Sequence, residues 1–373
     1  MTWKQKKEQL INNLPTLLDV LENISLQEEY LQINPGHFRG LFPTHYEEGK
    51  FTSVKDVDGQ SYLLPVGLLP FTYYRGESQY HPNCKPSLFR PNMTSSKIFL
   101  ERLRSCELEL IIESHPITRV FRNGTMVRFP EGNFREIHFS VDSQALSQHY
   151  GICTDLLDLT VNKWVAAFFA CTKCHDDVYE PIEENKGYGV FYIYGIEAQA
   201  DDMMSNLPIS QRKVRPVGLQ PFSRPGEQGG YVIRLSQKEN FNHHPVRKIK
   251  FRHDAKVAQL IFNYANRSKK LFPYDPLQDK AKVIRNTTTF SKAAYKLVVE
   301  RHYSDKPEDV IKSWMRNENI KLQEQPIARF TDQEKLKAIE EWQVRSKSIY
   351  KKIIVPFVVW DPTDTKRDSD LVE

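Results

Sequence analysis

Several stretches of this chain carry side chains suited to chemistry. Tyr74-Arg75-Gly76-Glu77 sets a guanidinium beside a glycine, and a guanidinium fork holds phosphate or paired hydroxyls by two-point contact. Gln148-His149-Tyr150-Gly151 offers an imidazole and an aromatic ring. Asp158-Leu159-Thr160 offers a carboxylate and a hydroxyl, and Gly226-Glu227-Gln228 a carboxylate and an amide. Each group also has a structural reading: Arg75 paired with Asp158 in the interior, His149 hydrogen-bonded in the core, Thr160 capping a helix, Gln228 satisfying backbone beside a turn. Cys171-Thr172-Lys173-Cys174-His175 has the C-x-x-C-H form of haem attachment, a chemistry of exported chains. The same residues, with Cys84 or His81, are a candidate zinc set. There is no second C-x-x-C pair and no apolar leader at the N-terminus, so neither haem nor metal is expected. A metal-dependent nuclease needs a compact carboxylate or histidine cluster, and no such motif is found.

The elements that must hold these groups follow from periodicity. Residues 4–32 predict helix, divided at Pro15. Residues 61–74 end in an aromatic strand signal, and residues 95–114 predict a helix. Around 134–147 lies another amphipathic stretch. Val161, Trp164, Val165, Phe168 and Phe169 form an apolar helical stripe, with Thr160 at the N-cap position. Residues 189–194, 230–233, 248–251 and 353–360 predict strands. Residues 33–50 and 199–229 predict loops. Helices are expected at 254–268, near 305–316 and from Thr331, where Thr-Asp-Gln-Glu has the capping-box form. Helices and strands mix without βαβ alternation, which predicts an α+β class.

The order of these motifs resembles the FRG domain, named for its Phe/Tyr-Arg-Gly signature. The resemblance rests on Tyr74-Arg75-Gly76-Glu77 with Pro86-Ser87-Leu88-Phe89-Arg90, on Gln148 through Thr160 running into Ala166-Ala167-Phe168-Phe169-Ala170-Cys171, on Arg224, Gln228 and Gly230, and on Leu271-Phe272-Pro273. It spans roughly residues 65–285. The chain departs from the family pattern at Cys153-Thr154-Asp155, where Pro-Thr-Arg is usual, and at Leu159, where Trp is usual. Members are mostly bacterial and phage-related, which implies a toxin or defence setting.

The same order is similar, more distantly, to the ADP-ribosyltransferase fold. That resemblance implies NAD as substrate, with Arg75, Thr160 and Gln228 or Glu227 as catalytic residues. It also implies a nicotinamide-binding wall of Tyr74, Gly76, His149, Tyr150 and Asp158. A carboxylate on the last strand would stabilise the oxocarbenium-like transition state. This chain has Gln228 there, and Glu227 would face the other way on a strand unless Gly229-Gly230 formed a bulge. The alternative is a non-catalytic nucleotide- or nucleic-acid-binding module on a degenerate transferase fold.

The chain has 373 residues and a formal charge of +5. Ten of its basic residues and two of its acids fall in residues 210–252. Nucleic acid is the expected partner of that segment, with Tyr231, Phe241 and Phe251 interleaved as stacking platforms. The longest apolar run, Trp164 to Cys171, is far short of the about 20 residues of a membrane helix. No membrane partner is expected, and the chain reads as cytoplasmic, with its five cysteines as free thiols. The expected organisation is an N-terminal helical segment (1–50), an FRG domain (51–288) and a C-terminal helix-strand extension (289–373) that is a candidate protein contact.

Overall fold

The structure, a computed structural model, describes residues 2–33, 51–55, 61–65, 72–128, 134–138, 141–184, 187–195, 213–217, 220–351 and 353–357. Residues 34–50 of the loop predicted at 33–50, and residues 199–212 of that predicted at 199–229, lie outside the described residues. Among the described residues no helix is long and apolar enough to cross a membrane.

The strands are β1 (Phe51–Lys55), β2 (Ser61–Pro65), β3 (Thr72–Glu77), β4 (Thr125–Arg128), β5 (Phe134–Ile137), β6 (Leu156–Thr160), β7 (Thr172–His175), β8 (Val178–Pro181), β9 (Tyr188–Gly195), β10 (Val214–Pro216), β11 (Gly230–Arg234), β12 (Arg247–Arg252), β13 (Thr289–Ser291), β14 (Lys321–Gln323) and β15 (Ile353–Phe357). The helices are α1 (Trp3–Asn12), α2 (Leu17–Ile33), α3 (Ser95–Ser114), α4 (Pro116–Asn123), α5 (Ser143–His149), α6 (Lys163–Cys171), the short α7 (Arg224–Glu227), α8 (Ala255–Tyr264), α9 (Pro276–Arg285), α10 (Lys292–His302), α11 (Glu308–Asn317) and α12 (Asp332–Lys351). The class is α+β.

A six-stranded sheet in the order β10-β11-β6-β3-β9-β12, antiparallel throughout, organises the centre. Side chains alternate between its faces with the period of two that a pleated strand imposes. Tyr74 and Phe191 go to one face, into a core with Val165, Phe168, Phe251 and Ile261; Leu17, Val20, Leu21 and Ile24 of α2 join it. Tyr73, Leu159, Tyr192, Tyr194 and Tyr231 go to the other, into a core with Cys84, Phe241 and Val246. A third core surrounds α3, where Phe99, Leu103 and Ile112 meet Leu146, Ile284, Val298, Ile311 and Phe330. Burying a side chain such as Phe168, which is 0% exposed, contributes about 1.5–3 kcal/mol.

Helix α6 is the element that shapes the centre. Asn162 caps it, its side chain accepting from the Trp164 N–H at 2.9 Å. Thr160, expected at that cap, is instead the last residue of β6, and its hydroxyl accepts from the Asn162 N–H at 3.0 Å. The helix lies directly on Gly76: a Cβ there would come within 1.9 Å of the Ala166 carbonyl oxygen and 2.7 Å of the Ala170 Cβ. A glycine lets helix and strand approach to this distance.

Other elements also differ from the expectation. The amphipathic stretch at 134–147 divides into strand β5 and helix α5. The loop expected across 199–229 contains β10 and α7 in its described part. The helix expected at 254–268 stops at Tyr264, because Asn266, Arg267 and Ser268 take left-handed backbone. The capping box at Thr331 forms, with Thr331 N–H donating to Glu334 and the Glu334 N–H to the Thr331 hydroxyl.

Candidate functional site

The residues singled out in the sequence fall into separate groups. Arg75 points to the sheet face opposite α6. Its Nε and Nη2 donate to Glu77 Oε1 at 3.0 and 2.9 Å, and its Nη1 donates to the Asp158 backbone oxygen at 2.8 Å. Strands β3 and β6 share one registered pair, Tyr74 opposite Thr160, so the guanidinium bridges the two strands where the ladder stops. Burial opposes the charge on Arg75, and the neighbouring Glu77, Cys84 and Asp158 outweigh it, holding the guanidinium above its ordinary pKa. Cys84 donates its thiol to Glu77 Oε1 at 3.3 Å, and burial pushes that thiol up to about 11. Glu77 Oε2 and Asp158 Oδ1 are buried without a hydrogen-bond partner. Asp158 Oδ2 accepts from the Gln148 side chain at 3.3 Å.

Thr160, Gln228 and His149 form a second group. The Thr160 hydroxyl donates to the Gln228 backbone oxygen at 2.7 Å. The Gln228 amide nitrogen donates to the Leu271 carbonyl at 3.0 Å, which leaves its oxygen to accept from His149 Nδ1 at the same distance. A carbonyl partner on one side therefore sets the amide orientation and, through it, the histidine tautomer. His149 Nε2 is buried and unpartnered against Gly230. Gln228 and Glu227 are not on the last strand as expected. They end the short helix α7, and β11 begins only at Gly230. Glu227 is exposed and faces Arg345 of α12.

Tyr150 forms a third group. It is 3% exposed and donates to the Asp275 carboxylate, the N-cap of α9. Burial, then Asp275, push the phenol well above its ordinary pKa. Arg224 lies 4.6 Å above the Tyr150 ring and 5.5 Å above that of Phe272, and its Nη1 reaches the His149 carbonyl at 3.4 Å. Tyr74 is 3% exposed in the α6 core, and the space beside Gly76 is filled by α6.

The structure thus joins Thr160 to Gln228 and His149, and Arg75 to Glu77 and to the Asp158 backbone, with the two sets on opposite faces of the sheet; by alternation the Asp158 carboxylate lies on the Thr160 face, where Gln148 donates to it. Sequence reasoning left out Glu77, Cys84, Arg224 and Asp275 as partners. The position of Glu77, two residues beyond Arg75 on the same strand face, was the available signal.

The basic segment is also redistributed. Arg215 is 7% exposed and bonded to Asp142 at 2.8 Å; Lys213 pairs with Glu239, and Arg234 with Asp155 at 3.6 Å. The expected stacking residues Tyr231, Phe241 and Phe251 are 5%, 0% and 1% exposed, inside the sheet cores. What faces outward is β12, the sheet edge, with Arg247, Lys248 and Lys250 exposed. Beside it, at the end of β3, opens a cleft of about 490 Å³ walled by α1, Ser78 to Tyr80, Lys173, Tyr188 and His253. Neither Arg75, Thr160 nor Gln228 lines it. Of the C-x-x-C-H residues, Cys171 is buried at the end of α6, and Cys174 and His175 are exposed on β7.

An α+β unit is therefore built around an aromatic-Arg-Gly strand clasped by one helix. Residues 71–178, from that strand to the start of β8, match the FRG domain family. No curated protein and no solved structure matches the chain.

Proposed function

We propose that this FRG domain is a non-catalytic module that binds a phosphate-bearing ligand, nucleotide or nucleic acid, along its basic sheet edge. The observation that carries the reading is β12: an edge strand with Arg247, Lys248 and Lys250 exposed along it. By alternation Lys248 and Lys250 share one face of that edge and Arg247 takes the other; cations along an edge supply phosphate affinity without sequence readout. The groups a transferase would aim at NAD are engaged elsewhere: Arg75 by Glu77, Thr160 by the Gln228 backbone, and Gln228 by His149 and Leu271. The test is fluorescence anisotropy with a single-stranded oligonucleotide across a salt series. Three phosphate contacts predict a log–log salt slope of about −2. Replacing Arg247, Lys248 and Lys250 with Gln should flatten it. An unchanged slope removes β12 as the contact.

A second reading, NAD-dependent ADP-ribosyl transfer to nucleic acid or protein, is favoured by one observation. Glu77 Oε2 lies buried and unpartnered beside Arg75, and a carboxylate is what a ribose hydroxyl and a developing oxocarbenium require; the other unpartnered carboxylate oxygen, Asp158 Oδ1, lies on the opposite face of the sheet. Transfer from labelled NAD that is lost in Glu77→Gln, with the fold retained, would establish it in place of the first.

A further inference from the structure

The cleft at the end of β3 contains a pair of aromatic rings that share one cation. Tyr80 and Tyr188 are each half-buried. The Lys250 Nζ lies 5.0 Å from the centre of the Tyr80 ring and 5.2 Å from that of Tyr188. Both rings therefore turn a face to the same small volume, occupied by an exposed ammonium on a flexible stem. Such a contact at an exposed site is weak enough to be exchanged. The remaining charged groups of the cleft are Lys7 and Lys173 against Glu8 and Glu184, which balance. Lys250 does not wall the cleft itself; from the adjoining β12 its ammonium adds one positive charge against the rings of Tyr80 and Tyr188, which do. His253, 7% exposed, donates from Nε2 to the Ser78 carbonyl at 2.9 Å. Its Nδ1 is thereby an acceptor.

We infer that this cleft is a subsite for one nucleobase carrying one phosphate, stacked on Tyr80 or Tyr188 with Lys250 displaced onto the phosphate. Every base offers a π-face, so such a platform is tolerant of sequence. A single excess cation suits one phosphate and not a polyphosphate chain. The ligand chemistry is shared by a free nucleoside monophosphate and by one residue of a single strand. The cleft adjoins the exposed lysines of β12, which would carry a following backbone. The inference rests on the phosphate-binding reading above and adds the place and the mode.

The experiment uses the full chain and three probes: a fluorescein-labelled oligothymidylate, the same oligomer with abasic residues, and a nucleoside monophosphate followed by calorimetry. Tyr80→Leu and Tyr188→Leu are compared with Tyr80→Phe and Tyr188→Phe, with melting temperature as the folding control. The expected result is roughly tenfold weaker oligothymidylate binding in each Leu variant, near-normal binding in the Phe variants, and no effect of any of them on the abasic oligomer. Binding of the monophosphate but not the oligomer, with the same loss in the Leu variants, would assign the subsite to free nucleotide. If the oligomer binds and the Leu variants are unaffected, the subsite is overturned while the β12 reading stands. If no probe binds wild-type protein at low salt, both fall together.

Discussion

Replacing Arg75 with Ala separates an arginine that holds the sheet from one reserved for a ligand. The substitution removes two hydrogen bonds to Glu77, at 3.0 and 2.9 Å, and one to the Asp158 carbonyl at 2.8 Å. It leaves Glu77 with the Cys84 thiol at 3.3 Å, while its Oε2 already lacks a partner. Breaking a buried ion pair from one side costs about 3–5 kcal/mol. The two side chains retain 15% and 12% exposure, so the lower end, about 3 kcal/mol, applies. Against a total stability of about 5–15 kcal/mol this is a large fraction. Urea unfolding followed by tyrosine and tryptophan fluorescence reads the loss directly. The double variant Arg75→Ala/Glu77→Ala no longer strands a carboxylate and should recover more than about 1 kcal/mol relative to additivity. A single-variant loss below about 0.5 kcal/mol, or strict additivity, would refute the clasp and return Arg75 to a ligand.

Gly76→Ala must push α6 away from β3, because the new methyl would meet the Ala166 carbonyl at 1.9 Å; a loss of about 1–3 kcal/mol or more in urea unfolding is expected. Gln228→Glu restores the carboxylate of the transferase pattern but sets an acceptor against the Leu271 carbonyl. It should cost about 1–3 kcal/mol at pH 7, and less at pH 4.5 where the acid can donate. His115 stands between the rings of Phe222 and Phe330, each 4.9 Å away, and burial lowers its pKa to about 4. The unfolded chain, with a pKa near 6.5, therefore takes up the proton first. Stability should be full above about pH 6.5 and fall by about 3 kcal/mol as pH drops through 4. His115→Phe should abolish that part of the acid sensitivity in a pH series of thermal melts.

Much of the scaffold was legible in the residues. Helix α3 at 95–114, the division of the first helix at Pro15 and the strands β9, β11 and β12 follow from periodicity and from turn and cap signals, which are local. The FRG signature was legible for the same reason, since its motifs are short runs of fixed type. The cap of α6 was misplaced by two residues because Thr160 and Asn162 both carry capping side chains, and only the end of β6 decides between them. The extent of the basic segment was legible, its exposed part was not: alternation along a strand says which side chains share a face, not which face is covered. Tyr231, Phe241 and Phe251 went inside for that reason.

The chain by itself determined its element types, its α+β class and the motif order of the FRG domain, because these depend on neighbours within a few residues. Only the tertiary structure decided what Arg75, Thr160 and Gln228 bond to, and that Tyr80, Tyr188 and Lys250 meet. Those partners are brought together by strand order and by the seating of α6 on Gly76, and a hydrogen bond or ring contact depends on distances of a few ångströms that sequence separation does not encode.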